Sequence, residues 1–417
     1  MSTHHHTRRD VIQSMTAGVA ALMLGRGLAT AQAPSQNEIV SLGLIGCGGR
    51  LRGMLLNGLK AIPSVRVDAV CDVYEGFLNS AHAAVGGRER DVLKTRDYRE
   101  ILGRKDIDAV VIATPDHWHT PMTIDACEAG KPAYVEKPLT HDLAEGTRVI
   151  EAQRRTGVIV QVGAQQRTMP HIVILREKIK RGEIDIGPIR RIHMQWNRNQ
   201  TPYRKVVPKI SESEVDWKRF LGNAPPQPFD AYRMRNWRWM WDFGNGPLGD
   251  LMVHWLDCAN WLLDLPMPKR ITSLGDTYSR KGAWETPDTM MALFEYPERE
   301  LLIDFECTFS NDLDRGSMRI MGENATVYID RGRWELTAQK QKVEPPGITQ
   351  KEIASGGPRG DGDYADYNAA ALHFLDWLDA MREKRDPSDP VVAGVQAAAV
   401  CHHGNIALRE RRVVEIG

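Results

Sequence analysis

The apolar positions along the chain fall into two textures. Residues 39–45 form an apolar run that ends in glycines, the pattern of a strand covered on both faces. Short runs of the same kind recur at 65–70, closing on Cys71-Asp72, at 107–113, closing on Thr114-Pro115, at 133–135, leading into Glu136-Lys137-Pro138, and at 158–162. Between them, residues 50–59, 121–129 and 143–155 carry helical spacing. Strands alternating with helices predict a parallel, doubly wound sheet over 34–162. Beyond residue 163 the runs lengthen. Residues 190–196, 289–295, 300–306, 316–321 and 325–329 read as amphipathic strands, several of them alternating, which predicts a mostly antiparallel sheet with one covered face over 163–417. Residues 250–263, 364–383 and 391–408 read as helices. The stretch 200–241, rich in Pro, Trp and Arg, reads as a long loop. Loops of that length in a compact domain are usually functional, and this one is expected to cover a substrate cleft.

The first 33 residues have a different character. Arg8-Arg9 precede an apolar stretch at 15–24, followed by Arg26 and the small-residue site Ala31-Gln32-Ala33. A charged region, an apolar region and a cleavage site make a signal peptide, and the paired arginines resemble a twin-arginine export signal. The stretch is shorter than the roughly 20 apolar residues that span a bilayer. The expected mature chain starts near Pro34 outside the cytoplasmic membrane, with no membrane span once the signal is removed.

Composition narrows the partners. The chain has 417 residues, enough for two domains with full cores, and equal numbers of basic and acidic residues, so no basic stripe points to nucleic acid. The six cysteines (47, 71, 127, 258, 307 and 401) form no C-x-x-C pair and no dense framework. Folded export tolerates them reduced.

Candidate chemistry sits at the ends of the predicted parallel strands. Gly46-Cys-Gly48-Gly49-Arg50 follows the first strand and opens a helix, the context of a dinucleotide fingerprint, although Leu51 stands where the strict motif has a third glycine. Such glycines let the backbone approach a pyrophosphate, and the helix N-terminus offers free N–H donors. Asp72 ends the second strand. An acid there accepts from ribose hydroxyls and repels a 2′-phosphate, which favours NAD, whereas Arg50 could pair with that phosphate and admit NADP. Lys137 ends a strand at the carboxyl edge, where ligands of open α/β sheets bind. Asp250 and His254 are four apart on one helix and share a face.

In this order and at these intervals, the glycine loop, Glu136-Lys137-Pro138 and Gly249-Asp250-Leu-Met-Val-His254 resemble the glucose–fructose oxidoreductase/inositol dehydrogenase (Gfo/Idh/MocA) family of nicotinamide-dependent oxidoreductases, in an exported subgroup. The resemblance implies a Rossmann domain followed by an α/β domain with a large open sheet that often mediates dimers or tetramers. It implies catalysis by Lys137, Asp250 and His254 on a sugar-like alcohol: histidine takes the proton, Asp250 orients its ring or meets the same hydroxyl, and the lysine ammonium polarises the oxygen. A cis bond is expected at Lys137-Pro138. The segment Thr114, Pro115, His117 and His119 is expected near the nicotinamide, with Glu136 also on the cofactor. Gln166 and Arg167 are expected to face substrate, with a structural salt bridge as the alternative for Arg167. Arg238, Trp239 and Trp241 could stack and bind carbohydrate, or Trp239 and Trp241 could be ordinary core. His117 and His119 lack a third ligand at metal spacing, so no metal is expected. His402 and His403 are read as packing.

An exported nicotinamide enzyme implies a cofactor carried along and held tightly. Three function classes stay open at this point: a sugar, glycoside or cyclitol dehydrogenase; an NAD-dependent glycosidase that oxidises transiently, as in the exported α-N-acetylgalactosaminidases of the family; and a non-catalytic binding protein on the same fold.

Overall fold

The computed structural model describes residues 39–199, 209–339, 352–355 and 368–417; the export segment and the first residues of the 364–383 helix lie outside them. Six strands form the first sheet: β1 (Val40–Ile45), β2 (Val65–Cys71), β3 (Leu93–Thr95), β4 (Ala109–Ile112), β5 (Ala133–Val135) and β6 (Val160–Val162). All pairs are parallel and the order is β3-β2-β1-β4-β5-β6. This is the doubly wound order whose direction reverses between β1 and β4. Helices cover both faces, so β4 and β5 are buried throughout, which explains why these strands read as unbroken apolar runs.

The second sheet has nine strands: β7 (Ile189–Trp196), β8 (Arg270–Asp276), β9 (Thr289–Tyr296), β10 (Leu301–Thr308), β11 (Gly316–Gly322), β12 (Ala325–Asp330), β13 (Arg333–Ala338), β14 (Glu352–Ser355) and β15 (Val414–Glu415). Their order is β14-β13-β12-β11-β7-β10-β9-β8-β15, antiparallel except for the parallel pair β7 and β10. The predicted fold class therefore stands. One face packs on the helices Pro170–Lys180, Val253–Leu263 and Val391–Glu410 in the largest core cluster. Leu274, Met291, Leu293 and Leu302 are exposed large apolar residues on β8, β9 and β10. Val391–Glu410 is long and apolar enough to cross a membrane, yet Ala397, Val400, Cys401 and Ala407 lie in the core.

Some elements had weak sequence signals. β8 carries only two large apolar side chains, and β3 is three residues long. The helix Pro170–Lys180 does carry a start signal, proline at its first turn. The helix Ala369–Glu383 belongs to the second half by chain order but buries Phe374 and Trp377 in the core of the first sheet. Gly58 allows this: a Cβ there would lie 2.8 Å from that of Ala370.

The stretch read as a long loop is instead structured from residue 209 to 243. It contains the short helices Trp217–Leu221 and Ala231–Arg235, and it buries Ile210, Val215, Trp217, Phe220, Leu221, Met234, Met240 and Phe243 in a small core of its own. Val73 and Tyr74, just past β2, pack against that core. Asp216 N–H donates to the Val73 carbonyl (2.9 Å), and Asp230 caps the second helix by accepting from Tyr232 and Arg233 N–H. The prolines and polar residues that suggested a loop mark its turns.

Candidate active site

The turn after β1 holds Gly46 at φ +85°, and a Cβ there would meet the Ala113 and Thr114 backbone at 2.7 Å. Only glycine satisfies both conditions, so β1 and β4 can close together at the point where strand order reverses. Gly49 has open space where a side chain would stand. Asp72 clasps this loop: its carboxylate accepts from Cys47 N–H (2.7 Å) and Tyr74 N–H (2.8 Å). Burial pushes Asp72 up to about 6 against the pull of those two backbone donors and Arg52. Arg50 pairs with Glu136 (2.9 Å), which ties the glycine loop to the end of β5. Substituting Gly46→Ala is expected to weaken NAD binding by about 100-fold, since the loop must move to relieve backbone contact and a positive φ; fluorescence titration with NADH checks this.

Glu136, Lys137 and Pro138 follow β5, and the Lys137–Pro138 bond is cis. His119 stitches this turn to the end of β4. Its Nδ1 lies 2.7 Å from the Pro138 carbonyl and its Nε2 3.0 Å from the Thr114 carbonyl; a neutral ring donates to one of them. His119 thus ties the ends of β4 and β5 together.

Lys137 reaches across to the helix that starts before Asp250. Its Nζ donates to the Asp250 carbonyl (2.8 Å) and to Asp250 Oδ1 (3.3 Å), and Arg238 Nε donates to the same Oδ1 (3.2 Å). An ammonium has three donors, so one is left for a substrate oxygen. Asp250 sits in a π-wound turn, Leu248–Met252, and His254 in the α-helical turn that follows. Burial would raise the Asp250 carboxyl, but Lys137, Arg238 and Arg198 outweigh it and hold it well below the usual carboxylate range. His254 is buried, its ring 5.5 Å from that of Trp196. Burial first, then the charges of Lys137, Arg331, Arg50 and Arg198, push it well below the usual histidine range, so it rests neutral and can take a proton. The expectation that Asp250 orients the His254 ring is corrected: its carboxylate is engaged by Lys137 and Arg238, and it aligns the lysine. A third carboxyl, Asp116, is buried nearby and pushed up to about 6 by burial, while Lys137 draws it down. It lies within the 114–119 segment expected at this edge, between residues singled out there.

Several buried polar atoms in these segments have no hydrogen-bond partner among the described residues, among them Thr114 Oγ1, both amide atoms of Gln166, and His254 Nδ1. Buried polar groups are nearly always satisfied, so unpartnered ones are candidates to meet a ligand. The open glycine loop and these groups fit a dinucleotide. Gly46, Gly48, Gly49, Thr114, Pro115, Glu136 and Lys137 are the residues that could hold it.

Several expected residues have other duties. Arg167 is 6% exposed and forks onto Asp257 (2.8 and 2.6 Å), with Asp389 at 3.5 Å, so it is a structural ion pair and not a substrate contact. Trp239 is 1% exposed and stacks on Trp284 at 4.2 Å, because the three-residue turn Trp237–Trp239 points it inward. Trp241 donates its indole N–H to the Glu285 carbonyl (2.9 Å) and anchors the 209–243 segment. His117 is buried against Phe220 and Phe243, its Nε2 2.8 Å from the Phe220 carbonyl; burial pushes it down to about 3. It pins that segment to the sheet edge, and its Nδ1 is left without a hydrogen-bond partner among the described residues. His402 bonds Thr140 (2.8 Å), as the packing reading expects. All six cysteines are free and buried.

Trp196 was missed. Its signal was the alternation of Ile192, Met194 and Trp196 along β7, which puts all three on the face covered by the His254 helix.

Two family profiles match the chain. One, described as an oxidoreductase family with an NAD-binding Rossmann fold, covers residues 40–164; the other, the GFO/IDH/MocA C-terminal domain, covers 172–328. Among curated proteins, an alpha-N-acetylgalactosaminidase of Shewanella oneidensis is 36% identical over 124 residues, 28% of this chain and 27% of that protein. An uncharacterized oxidoreductase, YrbE, of Bacillus subtilis is 32% identical over 142 residues, 34% of this chain and 40% of that protein. The chain thus spans well under half the length of these relatives. Among solved structures, levoglucosan dehydrogenase in complex with NADH and levoglucosan superposes with a TM-score of 0.70 at 19% identity, covering 90% of this chain and 99% of that one. The WlbA dehydrogenase of Bordetella pertussis, in complex with NADH and UDP-GlcNAcA, gives 0.65 at 20% identity, covering 91% and 99%.

Proposed function

Because this chain belongs to the Gfo/Idh/MocA family of NAD-binding oxidoreductases, we propose that it oxidises a ring hydroxyl of a sugar, glycoside or cyclitol. The observation that carries the reading is the Lys137 ammonium, fixed by Asp250 with one donor left, at the same strand edge as the buried, neutral and partly unpartnered His254. The fourth feature of such a reaction, a hydride acceptor, is supplied by NAD when it is bound. Lys137 donates to the substrate oxygen and stabilises negative charge that develops on it. His254 takes the hydroxyl proton. Asp250 keeps the ammonium in place and offsets the positive charge that would otherwise build up when the imidazole is protonated.

Tight retention of the cofactor forms part of the proposal. The 209–243 segment packs against Val73 and Tyr74, directly beyond Asp72, and Arg235 from that segment and Arg52 from the glycine-loop helix both lie over the Phe77 ring, at 4.5 and 4.7 Å. A structured strap beside the ribose-binding acid slows the release of whatever Asp72 holds. Export by the twin-arginine route, and assembly into a dimer or tetramer through the sheet face that exposes Leu274, Met291, Leu293 and Leu302, complete the proposal.

A second reading, an NAD-dependent glycosidase with transient oxidation, is favoured by the 36% identity to the Shewanella α-N-acetylgalactosaminidase over 124 residues. The test takes protein as purified, adds a panel of monosaccharides, cyclitols and glycosides, and records absorbance at the reduced-nicotinamide band together with release of aglycone. Stable reduction supports the dehydrogenase; aglycone release without net reduction supports the glycosidase; neither, with NAD or NADP added, would sink both. The same assay gives a pH prediction. Because His254 is neutral well below the usual histidine range, kcat/KM for the sugar at saturating NAD is expected to stay within about twofold from pH 7.5 down to 5.5, where a base of ordinary pKa near 6.5 would lose about tenfold. Asp72, by contrast, loses its charge as pH falls through about 6, so NAD affinity falls below that point, by up to about tenfold per unit.

A further inference from the structure

Asp72, Glu136, Asp250 and Asp116 all bring carboxyl groups to this sheet edge, and the first three are held. Asp72 accepts from Cys47 and Tyr74 N–H, Glu136 pairs with Arg50, and Asp250 pairs with Lys137 and Arg238. Asp116 differs. It opens the short turn Asp116–Trp118 after β4 and is 4% exposed. Among the described residues its side chain accepts one long hydrogen bond, from Asn245 Nδ2 at 3.4 Å, and has no ion-pair partner. The charged groups that act on it are Lys137 from the end of β5, Asp250 from the turn Leu248–Met252, His141 from the chain beyond Pro138 and Arg238 from the turn Trp237–Trp239. Burial pushes its carboxyl up to about 6; Lys137 draws it down, Asp250 pushes it up, and His141 and Arg238 draw it down. His117 and His119 on its own segment are pushed down by burial.

A buried carboxylate without a cation is costly, so such a group stays protonated until a cation is brought to it. The nearest cations of the chain are committed, Lys137 and Arg238 both to Asp250. The cation must then come with a ligand, and the place of Asp116 says which one. A Cβ on Gly46 would touch the backbone of Ala113 and Thr114, just before Asp116, at the point where strand order reverses and a dinucleotide binds. Lys137, the donor to the reacting oxygen, is the charge that Asp116 feels most. Asp116 thus belongs to the stretch that joins the glycine turn to the reacting lysine, the stretch along which a hydride acceptor has to lie. The oxidised nicotinamide ring carries a positive charge and the reduced ring carries none; the rest of the dinucleotide is the same in both.

We infer that Asp116 is the counter-charge for the oxidised nicotinamide, ionised while NAD+ is bound and protonated while NADH is bound, so that the charge on this buried carboxyl follows the redox state of the cofactor. The inference rests on NAD binding, and its part in turnover rests on the dehydrogenase reading above. In turnover the substrate gives up a hydride and its hydroxyl proton. The hydride neutralises the ring, the hydroxyl proton passes to His254, and Asp116 takes one proton from solvent. Asp116 is therefore a positioning residue for the oxidised cofactor and does not touch the reacting oxygen.

The test is calorimetric titration of the full protein, freed of retained nucleotide on charcoal, with NAD+ and with NADH. A cationic ring lowers the Asp116 pKa from about 6, so NAD+ gains affinity from this group above that point and loses it as pH falls through it, while NADH gains none. The ratio of NAD+ to NADH affinity is therefore expected to rise about fivefold from pH 5 to pH 7.5. Asp72 acts on both nucleotides alike and cancels in the ratio. In Asp116→Asn the ratio is expected to stay flat within about twofold and to lie about tenfold below the parent's at pH 7.5, with NADH affinity within about threefold of the parent's. Titrations of the unaltered protein near pH 6 in buffers of different ionisation enthalpy need no variant, and more protons are expected to leave on binding NAD+ than on binding NADH. Equal proton release by the two nucleotides, or a parent ratio that does not move with pH, would overturn the inference. An equal loss of both nucleotides in Asp116→Asn would overturn it as well and make the residue a contact that ignores ring charge. A protein that bound neither nucleotide would remove the cofactor reading and this inference with it. The expected ratios without cofactor reduction by any sugar would leave the counter-charge standing and remove only the dehydrogenase reading.

Discussion

Replacing Lys137 with alanine is expected to lower kcat by about 10³-fold, roughly 4 kcal/mol of barrier, while leaving NAD binding within a fewfold of the parent protein. The size follows from the arrangement. The ammonium is at once the donor to the reacting oxygen and the principal counter-charge for Asp250, a carboxylate with a side chain only 15% exposed. Removal leaves Asp250 with Arg238 alone among its direct partners, so the carboxyl rises toward the usual range and the donor to the oxygen is lost in one step. Lys137→Met separates these effects from packing, because it keeps the aliphatic stem. Single-turnover reduction of bound cofactor, measured with saturating substrate, reads the chemical step without product release. Turnover within tenfold of the parent in both variants would show that Lys137 only shapes the fold around Pro138 and that the catalytic assignment is wrong. A loss of NADH fluorescence to match the loss of rate would point to cofactor positioning instead.

Arg167→Ala is expected to be the most damaging change away from the reacting groups, at about 3–5 kcal/mol of stability. Its guanidinium is 6% exposed, forks onto Asp257, which is 2% exposed, and lies 3.5 Å from Asp389, which is fully buried. Burial and the proximity of Asp257 push Asp389 well above its ordinary value, so the pair that carries charge is Arg167 with Asp257. Truncating the arginine leaves a buried carboxylate with no cation against it, and breaking such a pair costs far more than the intact pair contributes. Arg167 also donates to the Ser388 carbonyl (3.0 Å), which holds the turn before the helix Val391–Glu410 to the end of β6. The double variant Arg167→Met with Asp257→Asn is therefore expected to recover a large part of the loss, since it removes both charges together. Thermal midpoints of the three proteins decide the matter. If Arg167→Ala melted with the parent and raised only the KM for sugar, the residue would be a substrate contact after all.

The contrast between these two residues shows how far the chain could be read in advance. Lys137 was legible because its setting is local: a short apolar strand, then Glu-Lys-Pro, at the carboxyl edge where every parallel sheet opens. Gly46 was legible for the same reason, since a strand that runs into a glycine turn and then a helix specifies its own backbone. Arg167 belongs to an equally conspicuous stretch, Gln165-Gln166-Arg167, yet its fate depended on Asp257 and Asp389, 90 and 222 positions away. The Trp-rich stretch 237–241 misled in the same manner. Three tryptophans in five residues suggested a sugar platform, but Trp284 and Phe309 from the second sheet's loops enclosed Trp239, while Trp196, which reads as one residue of a strand, reached the His254 ring.

By itself, then, the sequence determined the element types, the two kinds of sheet and the glycine turn at the end of β1. Period-two and helical spacings, glycine turns and strand ends depend on neighbours within a few residues, and their free energies are settled locally. Only the tertiary structure decided which polar residues remain for a ligand. Asp250 aligns Lys137, Arg167 closes a core ion pair, and His117 pins a segment that folds on its own small core. Each of those outcomes turns on which distant group satisfies a buried charge or hydrogen bond first, and that is a property of three-dimensional packing that no local pattern contains.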